Sequence, residues 1–274
     1  MAHDHDHHDH DHHDGADPFA ELLDLDAEVH AAYVTELMDW IHRLGAGEPD
    51  RILDLGSGSG TGTFALARRF PAAAITAVDN SPQLLAHLHR RARHLGLEKR
   101  ISTVVADLDA GPPPVAPVDL AWASASMHHL ADPDRVLAGL LGVIRPGGLL
   151  VVAETDSFPT FGLGGVETRL QALLSEAHAR DVPHMGSDWR ARMAAAGFTP
   201  VADRDDHLDL PDPPAAARYA QVSLARMRTG LADRLSPGEL AALDTLAGDG
   251  PGGVTARTGL RVRSHRTVLV GRRP

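Results

Sequence analysis

The sequence predicts an α/β fold, doubly wound around a mostly parallel sheet, and three observations lead there. Short, mostly apolar runs recur along residues 50–155, and helical patterns separate them. The runs are apolar on both faces, so both faces of the sheet need a cover of helices. Between the first run and the first helix lies RILDLGSGSGTGTF, a turn with glycine at every second position.

Residues 1–18, MAHDHDHHDHDHHDGADP, carry too little apolar surface to fold and are expected to be a disordered tail. Histidines alternating with aspartates over 3–13 suit weak binding of divalent metal. Residues 19–274 read as one domain. Val29, Tyr33, Leu37, Trp40, Ile41 and Leu44 keep helical spacing, which predicts a helix over 26–44, ended by Gly45 and Gly47. Strands follow at 52–55, 74–79, 101–106, 118–124 and 149–153. Helices alternate with them at 61–70 and 82–95. Ser81-Pro82 and Asp132-Pro133 each pair a capping side chain with proline at the first helical position. The second of these opens a helix that ends at Arg145-Pro146-Gly147-Gly148. Residues 155–165 read as a loop, 166–180 and 187–196 as helices, and 198–201 as the start of a sixth strand that resumes at 207–210. A last strand is expected at 266–271. Between these two strands, residues 212–260 carry a helical stripe (Ala220, Leu224, Met227, Leu231) and a Ser236–Glu239 capping box. They read as a helical insertion, the natural lid.

Composition narrows the function. The chain of 274 residues has a net charge of −11, so nucleic acid is not an expected partner. Arg90, Arg91 and Arg93 read as a solvated helix face. The absence of cysteine removes thiolate nucleophiles, disulfides and zinc–thiolate sites together. No apolar run approaches the length of a membrane span, and the His/Asp-rich start is not a secretory leader, so a cytoplasmic protein is expected.

The glycine turn is the chemical clue. It has no Lys-Ser/Thr pair for a phosphate-binding loop, and threonine takes the last position of a dinucleotide fingerprint. What remains is an acid two residues ahead of alternating glycines: Asp54, Gly56, Gly58, Gly60. Glycines let backbone approach a ligand closely, and the next helix offers its first amides. Acid and amides together suit a zwitterionic amino acid, such as the methionine end of S-adenosylmethionine.

Four motifs in order then resemble the class I S-adenosylmethionine-dependent methyltransferases of small-molecule type: ILDLGSGSG, AVDNS, VVADLD and DLAWASASMHHL, followed by a similar turn in LLGVIRPGGLLVVAE. The resemblance is strong over 50–155. It implies a Rossmann-like, seven-stranded sheet whose last strand is antiparallel. It implies S-adenosyl-L-methionine as donor and S-adenosyl-L-homocysteine as product. Asp79 would take the ribose hydroxyls, Asp107 the adenine amino group and Leu108 the ring. Ser57, Asn80 and Ser124 complete the expected binding set. No metal is expected in the core or needed for catalysis.

His128 and His129 follow the fourth strand at the sheet's carboxyl edge, where open α/β folds bind ligands. They are the expected catalytic pair, with His128 preferred as base or orienting group in the acceptor pocket and His129 as structural. Cytosine C5 and arsenite methylation need cysteine, and SASMHHL stands where adenine amino methylation has a different motif. A small-molecule acceptor, methylated on O, N or C, remains. Its expected lining is Tyr33, Trp40, Met127, Phe158, Phe161, Tyr219 and Met227. The lids associate the chain with secondary metabolism. A homodimer stays open, as do two other functions: an NAD(P)-dependent oxidoreductase, and a non-catalytic protein that binds S-adenosylmethionine or metal.

Overall fold

The computed structural model describes residues 18–274. The expected weak metal site at residues 3–13 lies outside the described residues. The chain begins with helices α1 (Pro18–Val29) and α2 (Ala31–Ile41). Strands and helices then alternate: β1 (Arg51–Leu55), α3 (Thr61–Arg69), β2 (Ala74–Asp79), α4 (Pro82–His94), β3 (Ile101–Val105), β4 (Val118–Ser124), α5 (Pro133–Val143) and β5 (Ile144–Glu154). After these come α6 (Gly165–Asp181), α7 (Trp189–Ala195), β6 (Thr199–Pro211), α8 (Ala216–Gly230), α9 (Pro237–Ala247) and β7 (Arg261–Arg272). Among the described residues the strands form one seven-stranded sheet in the order β3-β2-β1-β4-β5-β7-β6. Only the pairings of β7, with β5 and with β6, are antiparallel. This is the expected doubly wound sheet, antiparallel last strand included.

The period of two along each strand explains why the strands are apolar throughout. Ile52, Leu120, Trp122 and Val151 pack on one face with Leu37, Ile41, Phe64, Phe70 and Leu88 from α2, α3, α4 and the turn after α3. Their neighbours Leu53, Ala121, Ala123 and Val152 pack on the other with Leu137, Leu140, Trp189 and Met193 from α5 and α7. Each fully buried Leu, Ile or Phe contributes about 1.5–3 kcal/mol. A third cluster lies apart from these two. Val29, Phe161, Leu170, Tyr219, Leu224, Leu243 and Val262 join α1, α6, α8 and α9 to the far end of β7. No helix among the described residues is long and apolar enough to cross a membrane.

The caps form as their side chains dictate. Ser81, Asp132 and Ser236 accept from the backbone N–H of Leu84, Arg135 and Glu239, and Glu239 completes the capping box. Several boundaries differ from expectation, among them β7, which begins at Arg261 and not at 266. The single helix over 26–44 is two helices meeting at His30 (φ −96°, ψ 10°), and the first starts at Pro18. PFAELLDL is amphipathic, and Leu23 packs on the glycine turn. β5 begins at Ile144, taking in the Arg145–Gly148 turn, with a register shift against β4. The helix expected over 187–196 runs over Trp189–Ala195, capped by Asp188, which accepts from Ala191 N–H at 3.0 Å. β6 is unbroken through Asp203–Asp206, because ion pairs neutralise its charges: Arg190 with Asp203, and Arg204 with Asp206 and Glu36. Arg91 is not merely solvated. It pairs with Asp24 and lies over the Phe64 ring at 4.8 Å.

Candidate active site

The ends of β1, β2 and β3 bring three acids into one line. β1 delivers Asp54, which is 2% exposed and accepts from Thr63 Oγ1 at 2.5 Å. Burial, reinforced by the charge of Asp79, pushes its carboxyl up to about 7 against the opposing Thr63 hydrogen bond. β2 delivers Asp79, whose two oxygens accept from Gly58 N–H and Ser81 N–H, both at 2.9 Å. Asp107 follows β3, held by the N–H of Asp109 at 2.9 Å.

Between Asp54 and α3 the chain turns through Gly56, Gly58 and Gly60, all at positive φ. At Gly56 (φ 65°) a Cβ would lie 2.4 Å from Ser126 Cβ, so no side chain fits. Gly60 (φ 98°) caps α3, and a Cβ there would meet Phe64 at 2.7 Å. α1 covers this turn. Asp24 accepts from Ser59 Oγ at 2.7 Å, pairs with His87 at 2.8 Å and also holds Arg91.

A cavity of about 520 Å³ runs along this edge, within the roughly 300–1,000 Å³ typical of small-molecule sites. Of the expected donor-binding residues, Asp54, Gly56, Ser57, Gly58, Asp79, Asn80, Asp107, Leu108 and Ser124 line it. Gly60 lies behind the wall. The buried Ser57 Oγ and Trp122 Nε1 have no hydrogen-bond partner among the described residues, and both residues line the cavity. Unsatisfied buried groups cost about 1–3 kcal/mol each, so both are places where a ligand's polar atoms would be welcome. Ala125, also on the rim, has φ 48°, rare for a residue with a Cβ.

The two histidines sit opposite to the expected order. They share a short helical turn after β4. His129 lines the cavity, whereas His128 does not. His128 is 3% exposed and its Nδ1 meets Glu154 Oε2. Glu154 Oε1 also accepts from Ser126 N–H at 3.1 Å and Met127 N–H at 2.8 Å. The inner histidine is thus part of the turn's scaffold.

Of the expected acceptor lining only Tyr33 reaches the cavity. Met127 packs in the second core, and Phe158, Phe161, Tyr219 and Met227 in the third. Trp40 lies at the edge of the first, under Arg204 at 5.4 Å. Their helical or apolar spacing marked core, not pocket.

The structure adds a polar group that the sequence reading missed. Asp26 and His30 from the N-terminal helices and Arg266 from β7 line the cavity beside Tyr33. Asp26 Oδ1 accepts from Tyr219 Oη at 2.7 Å and lies 3.2 Å from His30 Nδ1 and 3.5 Å from Arg266. Burial works against its charge. The hydrogen bond and charge of His30, with Arg266 and Tyr219, outweigh it and hold the carboxyl well below its usual range. His30 Nε2 meets Ser264 Oγ at 3.0 Å. Tyr33 Oη donates to Asp206 at 3.0 Å, and burial together with that carboxylate pushes its phenol well up, so Tyr33 stays protonated. Spacing of i, i+4, i+7 for Asp26, His30 and Tyr33 was a readable signal: one polar stripe on an apolar helix. Arg266 is the one arginine or lysine among the described lining residues.

Comparison with known proteins places the chain among methyltransferases. The family model described as "Methyltransferase domain" matches residues 52–148. Trans-aconitate 2-methyltransferase of Methylobacterium nodulans is 31% identical over 188 residues, covering 65% of this chain and 70% of that one. Against the next two curated relatives the chain spans about half their length, 53% and 52%. Among solved structures, the [4+2]-cyclase SpnF aligns with TM-score 0.51 at 25% identity, covering 88% of this chain and 80% of that one. Geranyl diphosphate C-methyltransferase of Streptomyces coelicolor, solved with Mg2+, geranyl diphosphate and S-adenosyl-L-homocysteine, aligns with TM-score 0.52 at 19% identity, covering 91% and 82%.

Proposed function

Because the chain belongs to the class I S-adenosylmethionine-dependent methyltransferases, we propose that it methylates O, N or C of a small-molecule acceptor in the cavity at the carboxyl edge of its sheet. One observation carries this reading: Asp54, Asp79 and Asp107 line a single cavity from three adjacent strand ends, beside the glycine turn. The fit to the donor is chemical. Asp54 would attract its ammonium and the first amides of α3 its carboxylate. Asp79, whose oxygens each keep a free lone pair, would take the ribose hydroxyls. Asp107 and Leu108 would hold the base. Ser57 Oγ and Trp122 Nε1 would find polar partners. When bound, S-adenosylmethionine supplies a methyl group on a cationic sulfur, an electrophile that calls for no catalytic metal.

The protein's share is alignment and exclusion of water. The acceptor belongs over β4, β5 and β7, the other half of the cavity. His129, Tyr33, His30 and Arg266 stand there. His129 is the candidate base or orienting group. Arg266 suits an acceptor that carries negative charge, and trans-aconitate, named for the M. nodulans relative, is such an anion. The wrap of α1 over the turn closes the donor half.

Mass spectrometry after incubation with methyl-labelled donor and a panel of carboxylates, phenols and amines tests the reading. A labelled product is expected. Conversion of an acceptor without label, as a cyclase would give, rejects methyl transfer; tight binding of NAD but not of S-adenosylhomocysteine rejects the cofactor. Replacing His129 with glutamine is expected to lower kcat at least tenfold with donor affinity unchanged, a tenfold loss being about 1.4 kcal/mol. His128→Gln should act mainly on stability. Asp24→Ala, which releases Ser59, His87 and Arg91, is expected to weaken S-adenosylhomocysteine binding about fivefold, by roughly 1 kcal/mol, the scale of an exposed ion-pair network. Calorimetric titration reads both donor affinities.

A further inference from the structure

Away from the cavity, β6 and β7 continue as a two-stranded ribbon. Their register pairs His207 with His265 and Asp205 with Thr267. Residues two apart on a strand share a face, so Asp205, His207 and His265 stand together on one side. One ligand-type atom from each lies within 4.8 Å of the others. None of the three lines the cavity.

We propose that Asp205, His207 and His265 form a binding site for a divalent transition cation of the zinc, nickel or copper class. The donor set selects that class: two imidazoles and one carboxylate suit these ions, whereas magnesium and calcium prefer oxygen alone. The second layer is present too. Asp156, in the loop after β5, lies 2.8 Å from His265 Nδ1. A carboxylate accepting the Nδ1 proton leaves the Nε2 lone pair for a metal and fixes the ring's orientation. His265 Nε2 shares a hydrogen bond with Asp205 Oδ1, 2.5 Å away, so a cation would take the place of the proton between them, the two side chains parting by up to about 1 Å to admit it. His207 is stacked on His265 with ring centroids 4.3 Å apart and an angle of 9° between planes. Its side chain is 78% exposed, and its Nε2 already lies 3.9 Å from Asp205 Oδ2. Three protein ligands leave coordination positions open to water.

The placement gives such an ion a structural consequence. Ser264 and Arg266 flank His265 and, by alternation, face the opposite side, where they meet His30 and Asp26. An ion joining the two strands on the outer face braces the segment that presents Arg266 to the cavity.

Calorimetric titration of Zn2+ into the full-length chain tests the site. The His/Asp-rich start of the sequence is present in every variant, so it contributes equally. Wild type is expected to take up one more Zn2+ than the His207→Ala/His265→Ala double variant. His207→Ala alone, at an exposed side chain, is expected to lose the same site and serves if the double variant does not fold. Asp156→Asn keeps the three ligands and is expected to weaken the site about 10- to 100-fold. Equal uptake by wild type and His207→Ala overturns the proposal. Unchanged affinity in Asp156→Asn overturns the role given to Asp156.

Discussion

Replacing Asp54 with asparagine is expected to raise the stability of the ligand-free protein at pH 8 while lowering its affinity for S-adenosylhomocysteine about 100-fold. Burial, with the Asp79 charge, lifts the Asp54 carboxyl from its ordinary 3.8 to about 7. Between these values the folded protein holds a proton that the unfolded chain has released. Stability therefore falls as pH rises from about 4 to about 7, and the full deficit persists above it. At about 1.4 kcal/mol for each pH unit of that interval, the deficit is at most about 4 kcal/mol. Asparagine keeps an oxygen for Thr63 Oγ1 but has no charge to bury, so the variant escapes it. Binding runs the other way. An ammonium needs the carboxylate, so wild-type affinity should weaken below about pH 7, and asparagine should forfeit the charge-assisted contact at every pH. A 100-fold loss is about 2.7 kcal/mol. Melting curves from pH 4 to 8, beside calorimetric titrations, read both halves. At a few degrees per kcal/mol, the two melting temperatures should converge near pH 4, separate progressively as pH rises and keep a constant gap above about pH 7. A constant difference across that range would show that Asp54 does not titrate there.

Asp54 was legible because its place is local. It stands in an apolar run two residues before alternating glycines, and Asp79 and Asp107 close the apolar runs of the next two strands. The continuous apolar runs of β1 and β4 likewise carried the sheet, because both faces of each strand are buried. What the sequence left unread depends on contacts across long separations. His128 and His129 are neighbours in one short turn, and only Glu154, from the adjacent strand, decides which of them faces inward. Asp26, His30 and Tyr33 acquire meaning when β7 brings Arg266 and Ser264 beside them. Phe161, Tyr219 and Met227 have the size and spacing of a pocket lining, but a lid needs its own core, and they form it. The charged run in β6 concealed a strand, since its neutralising partners sit on α2 and α7 or within β6 itself.

Replacing Glu154 with alanine is expected to be the most destabilising single change near the site, costing about 3–5 kcal/mol. The side chain is 2% exposed and meets three partners: the N–H groups of Ser126 and Met127 through Oε1, and His128 Nδ1 through Oε2. Alanine leaves two backbone donors and an imidazole buried without partners, each worth about 1–3 kcal/mol, and removing one half of a buried pair falls in the same range. Glutamine separates shape from chemistry. Its carbonyl oxygen still serves Ser126 and Met127, so Glu154→Gln should lose only the His128 contact, about 1–3 kcal/mol. At roughly 2–4 °C per kcal/mol for a chain of this size, the melting temperature should fall by about 6–20 °C in the alanine variant and by clearly less in the glutamine variant. The same turn presents His129 and holds Ala125 at positive φ on the cavity rim. Glu154→Gln should therefore reduce kcat more than it weakens S-adenosylhomocysteine binding, because the three acids stand on other strands. A double-mutant cycle with His128→Asn isolates the pair: coupling near zero, or an alanine variant that melts within 2 °C of wild type, would show that the turn is held by something other than Glu154.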